Sequence, residues 1–423
     1  MRKVLVLADA PCGSTGFSNV IRHILADIYA TGLYDITVVG INYDGSGYDH
    51  AKFPYLIIPA TSALNERYRD LYGFPRALDM LSTDDYDIFF ILQDMPIVAQ
   101  RMKQILELQK TRKFKTIMYT PVDSDLSTKR EWITKGISDI NYPVTYTEWG
   151  KKQILQFDPE LEKRLKVVYH GTDFSEIYKL PKEQRDTYRS QGIMYDGGVQ
   201  VLTDKFVILN VNRNQIRKDY MRTFATFAEF KKIVSNAYLM LLAQNKDQGG
   251  DLNTIASQFG LVYGKDWSCP SGYRAYMICP AGMINAMYNV ADVTFSSSLG
   301  EGFGLSSIET MCAGTPGVFP DHTALTEIFG GDGNRGRLVK AGDTPGNHVC
   351  YGAYDSSLVR PAINIEDAVA KLKWVYDGGP EVEAMTARAL TWAAGITWTS
   401  INKFWIERFA HACEEIDRTA KKK

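Results

Sequence analysis

The sequence predicts an α/β protein made of two open parallel-sheet halves, and three observations predict it. Short, near-continuous apolar runs alternate with amphipathic helical stretches from the first residues. Strands apolar on both faces belong to parallel sheets covered by helices on both sides. The same alternation restarts after residue 204, and 423 residues are too many for one ordinary domain and comfortable for two.

Taken in order, "KVLVLADA" forms the first strand, a Gly/Ser/Thr loop follows, and Phe17 to about Ala30 forms an amphipathic helix before "DITVVGI". That is a βαβ unit. Further strands are expected at 87–92, 115–120 and 142–147, then a helix beginning near Glu148, with 165–170 closing the half. Residues 180–204 are polar and glycine-containing, and read as a helix plus a linker. The second series runs 205–211, a helix from about Asp219, 237–243, another helix, and 292–298. The stretch "GKDWSCPSGYRAYMICPAG" reads as a loop-rich insertion, and helical sequence runs from Ile365 to the basic end. The expected division is 1–178, a linker at 179–204, a second domain at 205–390, and a helical segment at 391–423. Open parallel sheets bind ligands at the carboxyl ends of their strands, so a cleft faced by both sheets is the expected site.

Composition narrows the function. Hydrophobic content of 45% and charged content of 23% are those of a soluble globular protein, and a net charge of -1 supplies no field to recruit nucleic acid or anionic lipid. The six cysteines (Cys12, Cys269, Cys279, Cys312, Cys350 and Cys413) contain no C-x-x-C pair, and the six histidines show no ligand spacing. Neither a metal nor a disulfide framework is expected, and a reducing cytoplasm suits the chain. The opening apolar run is too short and too soon interrupted for a signal peptide, and no run is long enough to span a bilayer. A cytoplasmic location is expected, with peripheral attachment to a membrane as the alternative. Residues 101–115 carry six bases against one acid, which reads as a solvated helix face leading into a strand.

Three stretches carry chemistry. In "APCGSTGFSN", small residues between strand and helix would let backbone N–H groups approach a phosphate, although Gly13 and Gly16 alone make no dinucleotide fingerprint. In "LNVNRNQIRKDY", Arg213 and Lys218 stand either side of the turn after a buried strand, where two cations suit a diphosphate. In "GEGFGLSSIE", Gly302 and Gly304 permit unusual backbone angles and close ligand approach, with N–H groups from Phe303 to Ser306 at a helix start. Glu301 lies in that turn and Glu309 falls eight positions on, along the helix. Carboxylates accept paired hydroxyl donors, which fits vicinal diols of a sugar or a ribose.

The segment "NVADVTFSSSLGEGFGLSSIETMCAGTPGVFPDHTALTEIFG" closely resembles the donor-binding segment of glycosyltransferase family 4, whose E-x7-E hallmark is met by Glu301 and Glu309. "VNRNQIRKD", "VVYHGTDFSEIY", "TEWGKKQIL" and "GSTGFSNVIRHIL" resemble further family motifs, in the family's order. The resemblance implies GT-B architecture, two Rossmann-like domains with the nucleotide-sugar donor held mainly by the second. It implies that Arg213 and Lys218 neutralise the diphosphate, that Glu309 binds ribose hydroxyls, and that Glu301 faces the donor sugar, aided by Gly302, Phe303, Gly304 and Leu305. Gly16 would let the first loop close on the phosphates, and the C-terminal helix would cross back to the first domain. The implied reaction is retaining, front-face and metal-independent, with no cofactor besides the donor substrate and a hydroxyl acceptor.

The chain departs from the family on the acceptor side. Gln93 or Asp94 stands where many relatives carry a histidine, Asp123 and Asp125 stand where a histidine-aspartate pair is frequent, and His170 replaces the usual asparagine. These leave the acceptor open among glycan, lipid carrier, small molecule, protein and modified nucleic acid. "DSD" also matches the metal-binding D-x-D of the other glycosyltransferase fold, but a polar loop suits its place in the first half better. An epimerase, an inverting GT-B enzyme, and a nucleotide-sugar-binding module without turnover are the alternatives.

Overall fold

The computed structural model describes residues 1–272 and 281–421. Two compact units account for them. The first takes in residues 1–122, 126–171 and the C-terminal helix from Trp398, and the second takes in 123–125 and 172–397.

The first unit holds a seven-stranded sheet of β1 (Arg2–Asp9), β2 (Tyr34–Ile41), β3 (Leu56–Pro59), β4 (Ile88–Leu92), β5 (Lys115–Thr120), β6 (Tyr142–Thr145) and β7 (Lys166–Val167). Its spatial order is 3-2-1-4-5-6-7, and every pairing is parallel. The central strands are apolar on both faces because both are covered. Leu5, Leu7, Phe89, Ile91 and Met118 pack into one core. The opposite face meets the helix Trp398–Lys421, whose Trp405 lies against Phe90 and Tyr119 and whose Phe409 lies against Tyr34 and Phe90. Asn402 on that helix donates to His23 O and Asp27 Oδ2, both at 2.9 Å. The strand expected at 165–170 pairs only through Lys166–Val167, and β3, which the sequence did not announce, is an edge strand ending in a proline.

In the second unit six parallel strands lie in the order Trp267–Ser268, Ala237–Leu242, Phe206–Val211, Val293–Phe295, Gly317–Pro320 and Arg337–Val339. The chain order therefore reverses between Phe206–Val211 and Val293–Phe295, a topological switch point where the loops after two neighbouring strands diverge. Part of the expected insertion supplies the edge strand Trp267–Ser268; residues 273–280, the rest of its centre and Cys279 with it, lie outside the described residues. The stretch after the helix Lys182–Gln191 is not plain linker but a hairpin, Ile193–Tyr195 with Gly198–Gln200, turned at Gly197 and Gly198 with φ of +155° and +145°. Helical sequence from Ile365 resolves into Ile365–Asp377, Pro380–Gly395 and Trp398–Lys421.

The basic run at 101–115 is largely neutralised within the first unit. Arg101 pairs with Asp70 at 2.8 Å, Lys110 with Glu107 at 2.7 Å, Arg112 with Asp85 at 3.2 Å and Lys115 with Glu415 at 3.0 Å. Among the described residues no helix is long and apolar enough to cross a membrane.

Candidate functional site

The loops leaving the switch point of the second unit bring most of the sequence-derived residues together. Beneath them Asn210 and Asn212 of "LNVNRN" and the serines of "SSS" form a buried polar network. Asn212 Nδ2 donates to Asn210 Oδ1 at 2.7 Å and to Ser296 Oγ at 3.3 Å, and Thr223 and Ser297 share a hydrogen bond at 2.6 Å. Ser297 Oγ donates onward to Asp219 O at 2.8 Å. The network ties both loops to the start of the helix Tyr220–Ile233. Satisfied buried polar groups of this kind rigidify the structure around them. It also explains why the strand expected over 292–298 stops at Phe295.

On this base Lys218 Nζ forms a close ion pair with Glu301 Oε1, and Arg217 Nη1 reaches Glu301 Oε2 at 3.4 Å while donating to Gly300 O. Burial would raise the Glu301 carboxyl, but Lys218 and Arg217 overcome it and hold the group down at about 2. Burial also draws Lys218 down to about 8, with Glu301 opposing the fall, so both partners are charged at neutral pH.

Arg213 serves a different carboxylate. Its Nε and Nη2 form a fork on Asp247, at 2.7 and 3.2 Å. Asp247 sits on the short hairpin Lys246–Asp247 and Gly250–Asp251, which Asn214 holds in place by donating to Gln244 O, Asn245 O and Gly250 O. Arg213 and Lys218 thus share a turn and use separate anions.

Gly302, Phe303 and Gly304 form the turn, with Gly304 left-handed at φ +88° and Phe303 buried. The helix Leu305–Cys312 follows; Gly304 O accepts the Ser307 N–H at 2.9 Å, and the N–H groups ahead of it have no acceptor within the helix. Glu309 lies on that helix, half-buried, with Oε2 accepting from Tyr288 Oη at 2.7 Å. Burial raises its pKa and the tyrosine hydrogen bond opposes the rise.

A second support of the Glu301 turn comes from His322 and Thr323. His322 Nε2 lies 2.9 Å from Ser298 O, and a carbonyl only accepts, so Nε2 carries the proton. Burial takes the ring down to about 4, leaving it neutral. Its Nδ1 then accepts from Thr323 Oγ1 at 3.2 Å, and that same oxygen accepts the Glu301 N–H at 3.1 Å. Thr323 holds φ +51°, a left-handed angle that a β-branched residue adopts only under constraint.

Of the residues expected on the acceptor side, Asp123 and Asp125 belong to the second unit. Asp123 Oδ2 faces Arg217 Nε at 3.3 Å, and Asp125 is exposed. Gly16 and Asp94 lie in the first unit. Gly16 opens the helix Gly16–Ala30, capped by Thr15, whose hydroxyl accepts from Ser18 N at 3.0 Å and donates to the buried Asp9. Asp94 is exposed before the helix Met95–Ala99. His170, also of the first unit, is buried, meets Tyr119 Oη at 2.8 Å, and is pushed down by burial to about 3.

Sequence reasoning passed over Arg217, Asp247, Tyr288, His322 and Thr323. Arg217 stood in the quoted motif and carried a signal as strong as Arg213. Asp247 and Tyr288 had none, because only the fold brings them to their partners.

No family model matches the chain, and no curated protein matches it in sequence. Solved structures do match in fold. HepE from Anabaena, in complex with UDP and glucose, superposes with a TM-score of 0.68 at 14% identity, over 97% of this chain and 100% of that one. Sucrose-phosphate synthase from Thermosynechococcus elongatus gives 0.69 at 12% identity, over 97% and 100%. A glycosyltransferase from Rickettsia africae gives 0.67 at 13% identity, over 98% of each. At these identities the likeness is one of fold.

Proposed function

We propose that this chain, which has the two-domain α/β GT-B fold, is a glycosyltransferase. It takes a sugar from a nucleoside-diphosphate sugar and passes it to a hydroxyl acceptor. The observation that carries the reading is the grouping of Lys218, Arg217 and Glu301 at the switch point, ahead of a glycine turn and a helix start. The Lys218 ammonium and the N–H donors there suit a diphosphate leaving group, Arg217 is committed to Glu301, and the carboxylates of Glu301 and Glu309 suit hydroxyls. The fold likeness to HepE, held with UDP, supports the same reading and makes uridine nucleotides the first to try.

The chemistry asks for little beyond that. The bond from the anomeric carbon to the phosphate oxygen breaks, and the acceptor oxygen bonds to the same face, giving retention. The departing phosphate oxygen takes the acceptor proton. Leaving-group stabilisation and positioning then outweigh any need for a strong protein base. Lys218 and Arg213 supply the positive charge without a divalent ion, Glu301 faces the sugar, and Glu309 faces the ribose. Gly16, Asp94, Asp123 and Asp125 complete the set on the loop and acceptor side.

The test is a thermal-shift screen of nucleoside diphosphates and nucleotide sugars with EDTA present, on wild type and Glu309→Ala. One nucleotide should stabilise the wild type despite EDTA and lose its effect in the variant. No stabilisation, or stabilisation that needs a divalent ion and ignores Glu309, would remove the assignment.

A further inference from the structure

One buried charge of the second unit has no part in that scheme. Arg360 begins the strand Arg360–Pro361 and is 3% exposed. Its Nη2 donates to Asp355 Oδ1 at 2.9 Å, its Nε grips the other oxygen of the same carboxylate, and its Nη1 donates to Asp123 O at 2.7 Å. Nη2 also comes within 3.5 Å of Asp123 Oδ1. Charge therefore alternates from Asp355 to Arg360, Asp123, Arg217, Glu301 and Lys218, each in contact with the next.

Three features show that this row is built to be rigid. A buried guanidinium is costly unless paired, and its planar fork fixes both partners at set angles. Ser356 and Ser357, between Asp355 and Arg360, are both left-handed, at φ +53° and +54°, so the clamp closes over a strained turn. Gly300 leaves room for it: a Cβ there would lie 2.0 Å from Asp123 O and 2.6 Å from Arg360 Nη1.

We propose that Arg360 is a positioning residue for Glu301. It fixes Asp123, Asp123 fixes the Arg217 guanidinium, and Arg217 holds Glu301 toward the sugar of the donor. The proposal rests on the donor-site reading above. It places the effect of Arg360 on the sugar and not on the diphosphate, a separation that a general structural role would not produce.

Calorimetric titration of UDP and UDP-glucose, with the guanosine and adenosine counterparts, separates the two. Wild type is compared with Arg360→Met, Arg360→Lys, Asp123→Asn and the Asp123→Asn/Arg360→Met double variant. The expected result is a Kd for the nucleotide sugar about tenfold weaker in each single variant. The Kd for the diphosphate should stay within about twofold, and the double variant should be no worse than either single. Equal weakening of both ligands, no change, or losses that multiply in the double variant would overturn the proposal. Should Arg360→Met fail to fold, Asp123→Asn, which keeps the side-chain shape, and Arg360→Lys, which keeps the charge, carry the same test. If wild type binds none of the diphosphates, the donor-site reading falls and the relay with it.

Discussion

Lys218 and Glu301 form a buried ion pair, their side chains 11% and 12% exposed. Each is the other's main compensation for lost water, so removing one would leave an uncompensated charge, at a cost of about 3–5 kcal/mol. A diphosphate bound at Lys218, as proposed, would replace one anionic partner with another.

That replacement makes donor affinity depend on pH. Lys218 is drawn down to about 8, and an amine holds a phosphate by charge only while protonated. Affinity for a nucleoside diphosphate should be flat up to about pH 7.5. Above about 8 it should weaken by about tenfold per pH unit, where an ordinary lysine would hold to about 10.4. Kd values from pH 6.5 to 9.5 check this, and Lys218→Arg should erase the step.

Glu309 should read the ribose. A hydrogen bond to a charged group contributes about 1.5–3 kcal/mol, so wild type should prefer a nucleoside diphosphate to its 2′,3′-dideoxy analogue by about tenfold or more. Glu309→Gln should narrow that preference. Equal discrimination by wild type and variant would place the ribose elsewhere.

Thr323→Gly should separate stability from binding. The change relieves about 1–3 kcal/mol of backbone strain and leaves the Glu301 N–H without its acceptor, at a similar cost. Urea unfolding should shift by no more than about 1 kcal/mol, while nucleotide-sugar affinity falls about tenfold as the Glu301 turn loosens. A large loss of stability would show that the strain is not relieved.

Trp405→Ala should destabilise the first unit by about 3–5 kcal/mol. The indole is fully buried between Phe90 and Tyr119, with ring centroids at 5.3 and 4.8 Å. Urea unfolding followed by tyrosine fluorescence checks the figure.

Long apolar strands and the glycine turn were legible because burial on both faces and the E-x7-E spacing are local in sequence. Edge strands of two to four residues, such as Trp267–Ser268, Arg337–Val339 and Leu56–Pro59, were not, since so few residues show no periodicity. At the site, Glu301 and Lys218 were expected around one ligand, and their direct pairing was not foreseen. Asp247 on Arg213, Tyr288 on Glu309 and Arg360 on Asp123 are contacts across 34, 21 and 237 residues of chain, which no spacing rule reaches.

The helix Trp398–Lys421 has a consequence for the order in which the molecule comes into being. It completes the unit that begins at Met1, yet it follows all of the second unit in the chain. During synthesis the second unit leaves the ribosome whole while the first still waits for Trp405 and Phe409. Until they arrive, Phe90, Tyr119 and Tyr34 lack the rings that cover them in the complete unit. Domains fold as units in the order of synthesis, so here the half that is made first is the half that closes last.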